Sequence, residues 1–218
     1  MTDLTGRLVL VTGAGGRLGR VLVAQLAAAG ATVAALDRHP SDDLPERAFA
    51  VEADATDEGS VARAFSAVEE RAGVPWSVIH TVGMWDGGPL AETGLDAWQR
   101  VLDVNLTSAF VTVREAVRRM DAGRVVAIAS RQGADRAPAQ QAAYAASKAG
   151  VVRLVEAASA EHDAIAAVAV APSMILFGGE EPGTGGVSAE AVADLCVYLC
   201  GDGGRVHDGA TLRAYGDG

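Results

Sequence analysis

Aromatic residues make up only 5% of this 218-residue chain, so rings cannot build its interior and Ala, Val and Leu must do most of the packing. Cysteine is scarcer: Cys196 and Cys200 are the only two, and no cluster of histidines accompanies them. That is too little sulfur for a disulfide framework and too few ligands for a metal site. Spaced four apart in a helical pattern, the pair reads as core-facing thiols on one helix. Basic residues are in deficit, 18 Lys+Arg against 28 Asp+Glu, for a formal net charge of -10. Phosphates would be repelled over most directions of approach, so neither nucleic acid nor an anionic membrane is an expected partner. No long unbroken apolar run occurs, and the opening Met1-Thr2-Asp3-Leu4 has no basic, apolar leader. Both absences predict a cytoplasmic protein.

What is present is a regular alternation of short apolar runs and helical stripes, in a chain that is 50% hydrophobic. Residues 7–12 form an apolar run that stops at a glycine cluster, as a buried parallel strand does. A helical pattern over 17–29 ends at Gly30, and residues 32–36 read as a second strand with Asp37 at its end. A strand near 48–52, a helix near 57–72, a strand over 76–82, a long helix over 95–119 and a strand over 123–129 follow. Then come a helix over 142–160, a strand over 165–171, a Gly-rich loop over 178–186, a helix over 188–200 and a final strand over 210–214. This alternation predicts a Rossmann-type α/β fold: a doubly wound parallel sheet in a three-layer α/β/α arrangement. The length suits one domain over 1–218, with no repeat or linker.

Thr12-Gly13-Ala14-Gly15-Gly16-Arg17-Leu18-Gly19 lies at the first strand-to-helix junction, with Gly13, Gly16 and Gly19 three apart. Glycine there permits a tight turn and close approach of backbone to a pyrophosphate, and the helix behind offers unpaired N–H groups. Asp37 stands where a carboxylate would accept both hydroxyls of the adenosine ribose and repel a 2′-phosphate, which favours NAD over NADP. Arg17 and Arg38 are the guanidinium groups that could instead meet that phosphate.

Tyr144-Ala145-Ala146-Ser147-Lys148 opens a helix and places Tyr144 and Lys148 on one face, a turn apart. A free phenol titrates near pH 10, so half ionisation around neutrality requires a fall of about 2–3 in its pKa. The Lys148 ammonium, with an oxidised nicotinamide, is the expected source of that fall. In reduction Tyr144 would give a proton to the carbonyl or imine that receives hydride. Ser130 ends the preceding strand, at the edge where such sheets hold ligands, and could polarise the substrate oxygen. Asn105, a polar amide inside an apolar helix, is either a satisfied core residue or part of a water relay behind Lys148.

Taken in order, these markers resemble the short-chain dehydrogenase/reductase family along nearly the whole chain. They are the glycine loop at 12–19, Asp37, Asp54-Ala55, Val82-Gly83, Asn105, Ser130, Tyr144 with Lys148, Ala171-Pro172, and the closing Asp208-Gly209-Ala210-Thr211-Leu212. The resemblance implies that Asp54 and Ala55 touch adenine and that Val82, Gly83 and Pro172 line the cofactor. It implies further that Lys148 grips the nicotinamide ribose and that Ile175 offers its N–H to the carboxamide. It also implies a homodimer or homotetramer built through the two long helices.

Several positions depart from the family pattern. Arg17 stands where glycine is commonest, His80 where an Asn braces neighbouring strands, and Phe177 near the place of a Thr that holds the carboxamide. Ser130 precedes Tyr144 by fourteen positions, one more than the commonest spacing. The substrate-covering segment, 176–187, is short, so the pocket is expected to be open or closed by that Gly-rich stretch. Trp85, just past a strand end, either covers a core edge or stacks on a flat substrate. Trp85, the short cover, Gly16 and Asp37 are similar to dihydropteridine reductases, which characteristically lack the Ser that this chain has.

The leading expectation is an NAD(H)-dependent oxidoreductase acting on a small ketone or secondary alcohol. The alternatives are a pterin-type reductase and, from another class, a cofactor-sensing regulator without turnover.

Overall fold

The apolar runs become strands because helices cover both faces of the sheet they form. In the computed structural model, which describes residues 2–180 and 185–216, the strands are β1 (Leu8–Thr12), β2 (Thr32–Asp37), β3 (Ala48–Glu52), β4 (Ser77–His80), β5 (Gly123–Ile128) and β6 (Ile165–Pro172). Two short strands follow, β7 (Ile175–Leu176) and β8 (Val187–Ser188), and then β9 (Thr211–Ala214). Every residue of β1, β4, β5 and β6 is buried. The main sheet runs β3-β2-β1-β4-β5-β6-β9 and is parallel throughout.

The helices are α1 (Arg17–Ala28), α2 (Glu58–Ala72), α3 (Leu95–Leu102), α4 (Ser108–Arg119), α5 (Arg131–Ala134), α6 (Ala142–Glu161) and α7 (Ala189–Cys200). Successive side chains of a strand point to opposite faces, so Leu8 and Leu10 of β1 join one core cluster and Val9 and Val11 the other. The first core holds Phe65, Val61 and Val68 of α2 with Val113 of α4 and Val151 and Val155 of α6. The second holds Leu22 and Leu26 of α1 with Val192 and Cys196 of α7. Each such side chain contributes roughly 1.5–3 kcal/mol through burial. Both cysteines are free and fully buried, and burial pushes the Cys200 thiol up to about 12. The doubly wound sheet and its three layers are those the alternation predicts.

The order of strands places the site. The chain builds outward from β1 to β3, then returns to add β4 on the other side of β1. The loops after β1 and β4 therefore diverge and leave a crevice at the carboxyl edge.

Some expected boundaries need correction. The helix expected over 95–119 is interrupted by one π turn, Asp103–Thr107, between α3 and α4. A wide turn leaves no mark in the apolar spacing; here it carries Asn105, whose amide finds partners outside the helix. The strand expected over 76–82 stops at His80, where the Thr81 hydroxyl turns back to donate to the Thr12 carbonyl at 2.7 Å. The helix expected from 188 begins at Ala189, because Ser188 is its cap and accepts from the Ala191 N–H. α5 and the β7–β8 ribbon were not expected. Of the loop expected over 178–186, residues 181–184 lie outside the described residues; on either side, Ile175 and Leu176 pair in parallel with Val187 and Ser188.

Candidate active site

The crevice is a cleft of about 920 Å³. The glycine loop forms its floor. Gly13 sits at φ +70, a conformation glycine adopts without strain. A Cβ at Gly19 would stand 2.1 Å from the Gly13 carbonyl oxygen. Gly19→Ala therefore has to push the loop from the helix, and a thermal melt is expected to show a loss of about 1–3 kcal/mol. An unchanged melting temperature would mean that the loop and helix are not packed so closely.

Like α6, and unlike α2 and α7, α1 starts without a side-chain cap. The first turn of α2 is capped by the Asp57 carboxylate and that of α7 by the Ser188 hydroxyl. α1 follows Gly16, with no side-chain cap and no acidic residue in its first turn. Its N-terminal N–H groups and positive dipole end are thus left for an anion in the cleft. The chemistry of this cradle fits a pyrophosphate.

Asp37, at the end of β2, is held by two backbone donors, Gly15 N–H at 2.9 Å on Oδ2 and His39 N–H at 3.0 Å on Oδ1. Arg38 faces Asp54 at 4.0 Å, and hydrogen bonds from the Thr56 hydroxyl and N–H hold the Asp54 carboxyl below its usual range. Arg17 turns the other way. Its guanidinium lies over the Phe177 ring, 3.9 Å from the centroid, and 4.0 Å from Glu180 Oε1, whose carboxylate also accepts the Phe177 N–H at 2.8 Å. No local pattern joins Arg17 to Phe177, so sequence reasoning had no signal for this pairing.

On the other side of the switch point stand Ser130, Tyr144 and Lys148. Ser130 lies two residues past the end of β5 and caps α5, its hydroxyl accepting from Gly133 N–H at 3.2 Å. Ser130 and Tyr144 line the same cleft, close enough for the hydroxyl to act on the phenol's pKa. Burial raises the Tyr144 pKa above its ordinary value, and the Ser130 hydrogen bond tempers the rise. The expected fall is therefore not a property of the protein alone. Lys148 is buried, which brings its ammonium down to about 8, and it donates to the Ile128 carbonyl at 2.8 Å rather than to the phenol.

Asn105 is buried behind the cleft. Its Oδ1 accepts from Met84 N–H at 2.7 Å, and its Nδ2 donates to the Met84 carbonyl and the Ser147 hydroxyl, each at 3.0 Å. The Ser147 hydroxyl in turn donates to the Tyr144 carbonyl at 2.7 Å. The π turn, the 83–85 loop and the start of α6 are locked together by this one amide.

His80 does a comparable task nearer the sheet. Ser108 donates its hydroxyl to the Val104 carbonyl at 2.6 Å, so it accepts from His80 Nε2 at 3.2 Å, which leaves Nδ1 to accept from the Thr12 hydroxyl at 2.9 Å. Burial, reinforced by the Lys148 charge, pushes the imidazole down to about 3 and keeps it neutral.

Of the residues expected to serve catalysis or to touch cofactor or substrate, all but Asn105 line this one cleft: Gly13, Gly16, Arg17, Leu18, Gly19, Asp37, Arg38, Asp54, Ala55, Val82, Gly83, Trp85, Ser130, Tyr144, Lys148, Pro172, Ile175 and Phe177. Trp85 is 63% exposed, so it does not cover a core edge. Gln132, Met84 and Met174 also line the cleft and were missed, because they belong to no motif. Among the described residues no group of His, Cys, Asp or Glu could hold a metal, and no helix is long and apolar enough to cross a membrane.

The model of the short chain dehydrogenase family matches residues 7–179. The chain belongs to this family.

Relatives and solved structures agree. The chain is 36% identical over 158 residues to the 3-oxoacyl-[acyl-carrier-protein] reductase MabA of Mycobacterium tuberculosis, covering 71% of this chain and 63% of that one. The match thus spans less than two thirds of that relative's length. It is 33% identical over 180 residues to the cis-4-hydroxycyclohexanecarboxylate dehydrogenase of Sinomonas cyclohexanicum, covering 76% and 72% of the two. In fold it is similar to a crystal structure of a short-chain dehydrogenase/reductase from Burkholderia xenovorans, with a TM-score of 0.88 at 24% identity over 99% of this chain and 97% of the other. In this member of the family His80 ties Thr12 of β1 to Ser108 of α4.

Proposed function

We propose that residues 1–218 act as one dinucleotide-binding unit that interconverts a small ketone and a secondary alcohol at the expense of NAD(H). The observation that carries this reading is the convergence of the Ser130 hydroxyl, the half-buried Tyr144 phenol and the Lys148 ammonium on the cleft that begins at the uncapped end of α1. The names of the two relatives fit it, since a 3-oxoacyl-[acyl-carrier-protein] reductase and a cis-4-hydroxycyclohexanecarboxylate dehydrogenase both exchange C=O and CH–OH.

The uncapped first turn of α1 would hold the pyrophosphate, Asp37 the adenosine ribose, Asp54 and Ala55 the adenine, and Lys148 the nicotinamide ribose. Val82, Gly83, Pro172 and Ile175 would line the nicotinamide side. When bound, the nicotinamide supplies or accepts hydride at the substrate carbon. Tyr144 gives its proton to the carbonyl oxygen in reduction and takes it back in oxidation; Ser130 donates to the same oxygen and holds it beside the phenol. Lys148 favours the ionised phenol when the proton has left, and Asn105 acts by position, fixing the turn that carries Tyr144.

NAD is favoured over NADP because the Asp37 carboxylate already sits on the loop, whereas Arg17 is occupied with Phe177 and Glu180. Asp37→Ala is expected to lower the ratio of kcat/KM for NADH to that for NADPH by about 10–100-fold, the worth of charge-assisted hydrogen bonds to the ribose. An unchanged ratio would show that the carboxylate never meets the ribose.

The overall reading is tested by following NADH absorbance with a panel of ketones, quinones and quinonoid dihydropterin. Turnover of ketones supports it. Turnover of the pterin alone favours the second reading, for which exposed Trp85 offers a stacking face. Tight NADH binding without consumption of any substrate would favour a sensor, although a sensor has no use for a proton donor. The cytoplasmic location, the homodimer or homotetramer and the small-molecule substrate belong to the same proposal.

A further inference from the structure

A second cleft, of about 590 Å³, opens beside the catalytic one and shares Gln132, Ser173 and Met174 with it. Its wall carries Arg131 and Arg136. In a chain of net charge -10, two arginines lining one cleft without an ion-pair partner among the described residues call for a partner. The hydrogen bonds of their acidic neighbour in the chain go elsewhere: Asp135 accepts the Tyr215 hydroxyl at 2.6 Å and Arg213 Nε at 2.9 Å, and these, with smaller help from the Arg213 and Arg131 charges, hold its carboxyl below the usual range. Among the described residues no ion pair engages Arg131 or Arg136. Arg131 is nonetheless steadied, because its guanidinium lies 5.2 Å from the centroid of the same Tyr215 ring that Asp135 holds. It also follows directly on Ser130, so the second cleft starts one residue from the proposed catalytic hydroxyl.

We propose that this cleft is a subsite for an oxyanion, a carboxylate or phosphate, carried at the far end of the substrate, so that the natural substrate is an anionic ketone or secondary alcohol. The planar fork of Arg is suited to either oxyanion through paired hydrogen bonds, and two arginines lining one cleft place the group without help from the surrounding acidic surface. The subsite deepens the oxidoreductase reading and rests on it, since Gln132, Ser173 and Met174 connect the anion's place to the carbonyl's.

The test compares acetoacetate, 4-oxopentanoate and 5-oxohexanoate with their methyl esters, and dihydroxyacetone phosphate with dihydroxyacetone, as substrates for NADH oxidation. At one chain length, or with the phosphate, the charged compound is expected to exceed its neutral counterpart in kcat/KM by about 10-fold or more. Arg131→Gln and Arg136→Gln are each expected to lose about 10-fold with that compound and less than about 2-fold with its neutral counterpart. A best acid identifies a carboxylate subsite and a best phosphate a phosphate subsite. Equal rates for every charged and neutral pair, or equal losses in both for the Arg variants, would overturn the proposal. Should no ketone be reduced at all, the oxidoreductase reading fails separately. Calorimetric titration of 5-oxohexanoate and dihydroxyacetone phosphate into the NAD-saturated protein then decides the subsite: binding lost in the double Arg variant upholds it, and no binding to the unaltered protein refutes it.

Discussion

Tyr144→Phe is expected to lower kcat by about 10²–10⁴-fold, the usual contribution of a positioned general acid, while leaving NADH affinity nearly unchanged. The substitution removes one oxygen and keeps the ring, so the packing at the start of α6 survives and the loss reads on proton transfer. Because burial raises the phenol's pKa, the free enzyme holds Tyr144 protonated at neutral pH, the form that reduction needs. Oxidation needs the ionised form, so its rate is expected to climb as pH rises above neutrality, while reduction is not. Stopped-flow measurement of single turnovers in both directions separates these limbs from product release. A Tyr144→Phe protein with undiminished turnover would remove the phenol from the mechanism.

What was legible in the sequence is what local physics determines. The glycine loop, Asp37, Ser130 and the Tyr144–Lys148 pair announce themselves because a tight turn, a strand end and a helical face each constrain a few consecutive residues. Asn105 was conspicuous for a related reason, a polar amide where the stripe is apolar. The π turn that carries it was not, since adding a residue to one turn barely shifts the apolar period. Arg17 shows the other limit. It lies 160 positions from Phe177, and only the return of the chain at β7 brings ring and guanidinium together. Arg131 and Arg136 likewise look like ordinary surface charges until the fold sets Asp135 against Arg213 and Tyr215 and brings the two arginines to the lining of one cleft. His80 read as a departure from a pattern; that it is neutral and ties Thr12 to Ser108 follows only from its burial.

Lys148→Met is expected to abolish most of the activity and to remove the pH dependence that this buried amine gives the fold. Burial lowers the Lys148 pKa from 10.5 to about 8, so below pH 8 the folded protein carries a buried charge that the unfolded chain would keep in water. Between pH 8 and 10.5 the unfolded chain binds a proton that the folded protein has lost, and the wild type therefore gains stability as pH rises through this window. The gain is about 3 kcal/mol by proton linkage, and methionine, which does not titrate, lacks it. The variant also leaves the Ile128 carbonyl without its ammonium partner, a loss of roughly 1–3 kcal/mol that does not change with pH. Urea denaturation should accordingly find the two proteins similar in stability at pH 7 and the wild type the more stable by pH 10.5. Parallel stability curves across that range would mean that Lys148 is solvated in the folded protein, and with it would go the buried cation on which the phenolate depends.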